Sequence, residues 1–286
     1  MLSLIEKEYD INNKISKPDF STKTGREFLA FYLQTKFKQI LAYDKKSERP
    51  IFKSIKPDFI AKFTKRIINN PDKRILIGIC GESASGKTTI CKRIRKSISK
   101  FNMPVSIISA DNYFKDISDL IMHYGSFDKL MEAGYDLDSP KNFNLEQLKE
   151  DLLVLAQGQD TMLPNYVPDG TGVSIPKSVP AKSQKIIVVE GMASMYGDVP
   201  EVFDVNVFVD IDDETQKQWY LGRATERNQT EENALKQFEY IKSVAEVYIQ
   251  PKKSEADIII NATSSLDYFE QILEYMHAIT NNFQSE

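Results

Sequence analysis

From Lys73 onward the chain alternates between short, almost wholly apolar runs and longer stretches where apolar residues recur every three or four positions. The short runs are RILIGIC, PVSIISAD, KIIVVEG, DVNVFVDI and ADIIINA. A near-continuous β-rich run is what a parallel strand buried on both faces requires. The periodic stretches predict helices: one opened at Gly86 and continued by CKRIRKSISKF, then FNLEQLKEDLLVLAQG, ETQKQWYLGRATERN and EENALKQFEYIKSVAEVYI. A last one, SSLDYFEQILEYMHAIT, puts Leu266, Phe269, Ile272, Leu273 and Met276 on one face. Asn144 and Gln147 have the spacing of a capping box, and Gly158 supplies a helix stop. Repeated strand–helix units predict an α/β fold, a parallel sheet covered by helices on both faces.

Residues 1–72 are patterned differently and hold no clear strand. TGREFLAFYLQTKFKQILAY spaces Phe28, Phe31, Tyr32, Phe37, Ile40 and Leu41 as an amphipathic helix, and KPDFIAKFTKRIINN reads as a second helix opened by Pro57-Asp58. This segment is read as a helical N-terminal extension whose first ~20 residues form a loosely patterned arm; 73–286 form the core.

The chain has 286 residues and a net charge of -4, so no basic excess points to nucleic acid or to an anionic membrane. No apolar window is long enough for a membrane span, and the N-terminus lacks the layout of a signal peptide. Cys80 and Cys91 are expected to be buried free thiols in a cytoplasmic protein. No cysteine–histidine cluster suggests zinc. These features point to a cytoplasmic protein with no nucleic-acid or membrane partner; a homodimer is left open.

Within ILIGICGESASGKTTICKRI, Gly81-x4-Gly86-Lys87-Thr88 matches the P-loop pattern, and it comes after a strand and opens a helix as that motif must. Each residue type has a physical task. Gly81 and Gly86 let the backbone turn so that the N–H groups of Ser83, Ala84, Ser85, Gly86, Lys87, Thr88 and Thr89 face phosphate oxygens. The helix start adds partial positive charge. Lys87 brings a full charge to the β/γ-phosphates, and Thr88 offers a hydroxyl to Mg²⁺.

Other features narrow the class. Asn13-Lys14-Ile15-Ser16 fails the guanine-reading pattern at its last position, and the second signature of transporter ATPases is absent. Asp111 stands just past the second core strand, where a carboxylate can accept a hydroxyl proton or hold Mg²⁺ through water. An Asx turn is the plainer reading of the same residue. Glu190 ends the third strand near the metal position, before Gly191. Trp219, Arg223 and Arg227 share a helical face, and such arginines can close over a phosphoryl group in transfer or sit solvated beside Glu226 and Glu231.

GESASGKTT, SADNYF, YDLDSPKNFNLEQL, VVEGM, VFVDIDDETQKQWYLGRATERN and YIQPKKSEADIII together resemble the phosphoribulokinase/uridine kinase family of P-loop kinases over about Arg74–Ala262. QWYLGR and the helical extension are similar to the pantothenate kinase branch. The resemblance implies a P-loop NTPase-type sheet with a lid around 213–232. It implies nucleotide and metal roles for Gly81, Lys87, Thr88 and Glu190, a catalytic base at Asp111, and lid arginines at Arg223 and Arg227. Acceptor contacts are implied at Asp111, Tyr113, Tyr135, Asp136, Asp138 and Tyr166. LPNYVPDGTGVSIP has Tyr166 and Asp169 but not the histidine and arginine that uridine kinases carry in this region. His123 is read as a surface or packing residue.

The expected activity is therefore transfer of the γ-phosphoryl of ATP, with Mg²⁺, to a hydroxyl of a small metabolite: a nucleoside, a sugar or a pantothenate-like molecule. A nucleotide-binding regulator with residual ATPase activity, and a kinase acting on a macromolecule, are the alternatives.

Overall fold

The computed structural model describes residues 22–70, 73–99, 104–226 and 229–264. The N-terminal arm, Arg227 and the closing helix expected at 264–280 therefore lie essentially outside the described residues. Six strands form one sheet: β1 (Phe52–Ile55), β2 (Ile75–Gly81), β3 (Val105–Ser109), β6 (Ile186–Glu190), β7 (Val205–Asp210) and β8 (Ile258–Asn261). Their spatial order is β1-β8-β7-β2-β6-β3. β3, β6, β2, β7 and β8 run parallel, and β1 joins β8 antiparallel.

The five core strands are those read from the apolar runs. β6 and most of β2 are buried, because helices cover both faces. One apolar layer joins Leu76, Cys80, Val189 and Phe208 to Leu148, Leu152 and Leu155 of α6 (Leu145–Ala156). The other joins Ile75, Ile79, Val188 and Val209 to Phe59 and Phe63 of α2 (Phe59–Asn69) and to Ile90 and Ile94 of α3 (Lys87–Ser99). Cys80 and Cys91 are buried free thiols, one in each layer.

The structure departs from the sequence reading, or adds to it, in three places. First, the N-terminal segment does contain a strand. β1 is too short and too polar to announce itself (FKSI), and its place is fixed from outside. The buried Asp44 carboxylate, at the end of α1 (Lys23–Asp44), accepts hydrogen bonds from the N–H groups of Ile51 and Phe52 at 2.9 and 3.0 Å. Within α1, Phe37 is buried, but Phe28 and Phe31 are exposed, so its apolar residues do not share one buried face. Second, the stretch LPNYVPDGTGVSIP is a hairpin, β4 (Thr161–Tyr166) with β5 (Ser174–Ala181), forming a separate two-stranded sheet. Its prolines and polar residues hid the alternation. Third, Asn144 makes no side-chain cap. The Gln147 amide donates instead to the buried Asp151 carboxylate at 3.1 Å, because that charge has the greater need of a partner.

The insertion after β3 forms α4 (Ser118–Tyr124) and α5 (Phe127–Glu132). Late in the chain, α7 (Asp213–Glu226) and α8 (Glu231–Tyr248) pack on each other. Among the described residues no helix is long and apolar enough to cross a membrane.

Candidate active site

β2, β6 and β3 are neighbours, and their register brings Ile79, Glu190 and Ser109 to one level. The C-terminal ends of these strands therefore deliver three features to one edge of the sheet: the Gly81–Lys87 loop, Glu190 itself, and Asp111 two residues past β3. Ligands of open parallel sheets bind at this edge.

The loop has the backbone that its sequence implies. Gly81 has φ +155, and a β-carbon there would stand 2.6 Å from the Val209 carbonyl oxygen. Ala84 takes φ 61, a left-handed conformation that L-residues rarely adopt. The Lys87 ammonium donates to the Gly81 and Glu82 carbonyls, both at 2.8 Å, which holds its charge inside the loop. Thr88 Oγ1 lies 3.4 Å from both Glu190 carboxylate oxygens. Burial raises the Glu190 carboxyl, opposed by Lys87 and reinforced by Asp111. A hydroxyl facing a carboxylate is a hard-oxygen pair suited to Mg²⁺, which typically takes one or two protein groups and completes its shell with phosphates and water. Among the described residues no three His, Cys, Asp or Glu side chains group to hold a metal by themselves.

Asp111 stands in a short helical turn, Ala110–Tyr113. The residue is exposed, yet enough protein atoms surround its carboxyl that the desolvation they cause raises its proton affinity, opposed by Lys87. A β-carbon on Gly191 (φ +130) would come within 3.0 Å of Asp111 Oδ1, so the glycine leaves the carboxylate its place.

A second group of carboxylates adjoins it. Asp138 is raised to about 6 by burial, then by Asp111 and Asp136, with Lys87 opposing. The turn carrying Asp136 and Asp138 is firmly held. The buried Asn142 amide donates to the Leu137 carbonyl at 3.0 Å and also bonds the Asp136 carbonyl. Tyr135 donates to Asn142 Oδ1 at 2.9 Å, Tyr196 to the Asp138 carbonyl at 2.9 Å, and Tyr248 to the Asp136 carboxylate at 2.5 Å. Sequence reading overlooked Asn142, Tyr196 and Tyr248 because nothing local marks a side chain that braces a distant turn.

The structure also separates residues that the sequence placed together. Tyr113 is fully buried and donates its phenol to Asp151 Oδ2 at 2.9 Å, so it is a core residue and not an acceptor contact. Asp111, two residues before it, is exposed instead, because a tight helical turn sends nearby residues in different directions. Tyr166 ends β4, half-buried, with its ring 5.1 Å from that of Phe114. Burial raises its phenol, with Tyr135 adding to the shift, so the two phenols are neighbours. Asp169 is spent on its own hairpin tip, accepting from the Thr171 N–H at 2.9 Å. His123 is exposed on α4.

On α7, Trp219 covers the loop: a methyl group at Gly86 would stand 3.2 Å from its ring. Arg223 lies one turn further along, exposed to solvent.

The sequence profile of the Phosphoribulokinase / Uridine kinase family matches residues 76–268. Uridine-cytidine kinase B of Dictyostelium discoideum is 31% identical over 188 residues, 65% of this chain and 73% of that protein. A uridine kinase of Staphylococcus epidermidis is 32% identical over 189 residues, 65% of this chain and 86% of that protein. Among solved structures, phosphoribulokinase from Rhodobacter spheroides aligns with a TM-score of 0.49 at 14% identity, covering 66% of this chain and 70% of that chain.

Proposed function

Because the chain belongs to the phosphoribulokinase/uridine kinase family, we propose that it moves the γ-phosphoryl of ATP to a hydroxyl of a small, uncharged, polyhydroxylated metabolite, a nucleoside or an unphosphorylated sugar. The observation that carries this reading is the meeting of Lys87, Thr88, Glu190 and Asp111 at the ends of three adjacent strands. The loop amides and Lys87 bind the β- and γ-phosphates. Thr88 and Glu190 would hold Mg²⁺, which supplies neutralising charge between phosphate oxygens when bound. Asp111 orients the acceptor hydroxyl and takes its proton; a carboxyl raised by burial is a better base than an ordinary one. Arg223 and Arg227 are the lid candidates for stabilising charge in transfer. Positioning and electrostatics carry the rate, since phosphoryl transfer needs little covalent help.

Charge supports the uncharged acceptor. Among the described residues Lys87 is the cation that acts on Asp111 and Asp138, and the triphosphate engages it. A carboxylate or phosphate on the acceptor would face Asp111, Asp136 and Asp138, whereas hydroxyl groups would donate to them. Relatives named as uridine kinases act on such an acceptor. An ATP donor and two reduced, buried cysteines are what a cytoplasmic enzyme would have.

The test is a coupled ATP assay with mass detection of product, run against nucleosides, free sugars, pantothenate and pentose phosphates. A phosphorylated nucleoside or sugar is expected. Product from pantothenate or pentose phosphates alone overturns the acceptor class. ATP hydrolysis with no phosphorylated product overturns the transferase reading in favour of a regulator.

A further inference from the structure

The second residue of the phosphate loop, Glu82, carries a negative charge where a triphosphate must bind. Its side chain is 4% exposed. A buried carboxylate beside an anion site opposes the ligand unless its charge is met at short range. Four contacts from three later elements converge on Glu82 and its neighbour. Lys242 Nζ, on α8, reaches Oε2 at 2.8 Å. Gln216 Nε2, on α7 and fully buried, donates to the same oxygen and to the Ser83 carbonyl, both at 2.8 Å. Gln250, in the turn after α8, bonds Oε1 through its amide. Lys242 also reaches Gln216 Oε1 at 3.2 Å and Asp213 Oδ1 at 2.8 Å.

The amides satisfy hydrogen bonds but cancel no charge; only Lys242 does that among these partners. The Glu82 side chain is 4% exposed, against 82% for Asp213, so the pair with Glu82 is the desolvated one and the pair with Asp213 is surface-like. The same contacts tie the loop to α7, whose Trp219 lies over Gly86.

We propose that Lys242 is a positioning residue for nucleotide binding: by neutralising Glu82 it keeps the phosphate loop receptive to a triphosphate and latches α7 and α8 onto that loop. The inference rests on the loop binding ATP, as the proposed function holds, but not on any acceptor.

The chain has a single tryptophan, so Trp219 fluorescence reports nucleotide titrations directly. MgATP affinity is measured for the full chain and for Lys242→Met, Glu82→Gln, the double variant Glu82→Gln/Lys242→Met, and Lys242→Arg, each with a thermal melt. Lys242→Met is expected to weaken affinity on the order of tenfold or more, because it strands a buried charge. The double variant is expected to recover most of that loss, Lys242→Arg part of it, and Glu82→Gln alone to bind at least as tightly as the parent. A merely structural role for Lys242 would leave the double variant as weak as Lys242→Met, and that result overturns the proposal. Should Lys242→Met fail to fold, weakened binding by Glu82→Gln, or a loss of about tenfold or more in a folded double variant, overturns it equally. ATP binding by the parent without transfer to any acceptor would defeat the proposed function and leave this inference standing.

Discussion

The Asp111 carboxylate occupies the space that a side chain at position 191 would fill, Oδ1 lying 3.0 Å from where a β-carbon on Gly191 would stand. The two residues belong to different strands' ends, so the end of β6 sets the position of the group beyond β3. Gly191→Ala should therefore displace Asp111 and also strain the backbone at φ +130. The expected outcome is a fall in kcat of roughly tenfold or more with ATP affinity little changed, since misplacing a reacting group is costly. Steady-state kinetics with fluorescence titration of ATP checks this.

Asp111→Asn removes the proposed base and keeps the shape. Transfer is expected to fall on the order of a hundredfold or more while ATP still binds. Unchanged turnover in this variant would remove Asp111 from the chemistry.

Thr88→Val keeps the volume of Thr88 and deletes the hydroxyl that lies 3.4 Å from Glu190. The Mg²⁺ concentration needed for half-maximal rate should rise about tenfold or more, in keeping with the cost of losing a metal-site partner. A magnesium titration at saturating ATP measures it.

Asp138 ionises at about 6, raised by burial and then by Asp111 and Asp136, while Lys87 favours its charged form. The buried phenol of Tyr196 and the phenol of the more exposed Tyr240 face the same carboxylates. The ionised form is the better acceptor for a substrate hydroxyl, so kcat/KM for the acceptor should rise between about pH 5 and 7 with an inflection belonging to the carboxylate group as a whole. Stability runs the other way. A carboxyl that titrates near 4 unfolded and about 6 folded binds more protons when folded, so it lowers stability as pH rises through that window. Asp138→Asn should thus move the inflection to lower pH and raise the melting temperature at pH 7 to 8. A pH–rate profile paired with thermal melts tests both signs.

Tyr113→Phe should cost about 1–3 kcal/mol of stability, because Asp151 is buried and, among the described residues, keeps only Gln147 as a side-chain donor. KM for the acceptor should not move. Denaturant unfolding and kinetics together separate this core role from a contact with substrate.

The sheet and the phosphate loop were legible in the sequence because their signals are local. An apolar run has one way to be buried on both faces, and Gly81 to Thr88 must combine turn, helix start and charge within a few residues. Asp111 and Glu190 were legible for a related reason: each ends an apolar run, and parallel strands deliver their ends to one edge. The hairpin β4–β5 and the strand β1 were not legible, since each owes its pairing to partners far along the chain.

The sequence by itself determined a parallel α/β sheet with a phosphate loop and two carboxylates at its rim. Only the tertiary structure decided which neighbouring polar residues face that rim. It turned Tyr113 into the core against Asp151, set Asp138 beside Asp111, and brought Lys242 across 160 positions of sequence to Glu82. The physical reason is that a side chain's direction and charge partner depend on packing between distant elements, which periodicity does not record.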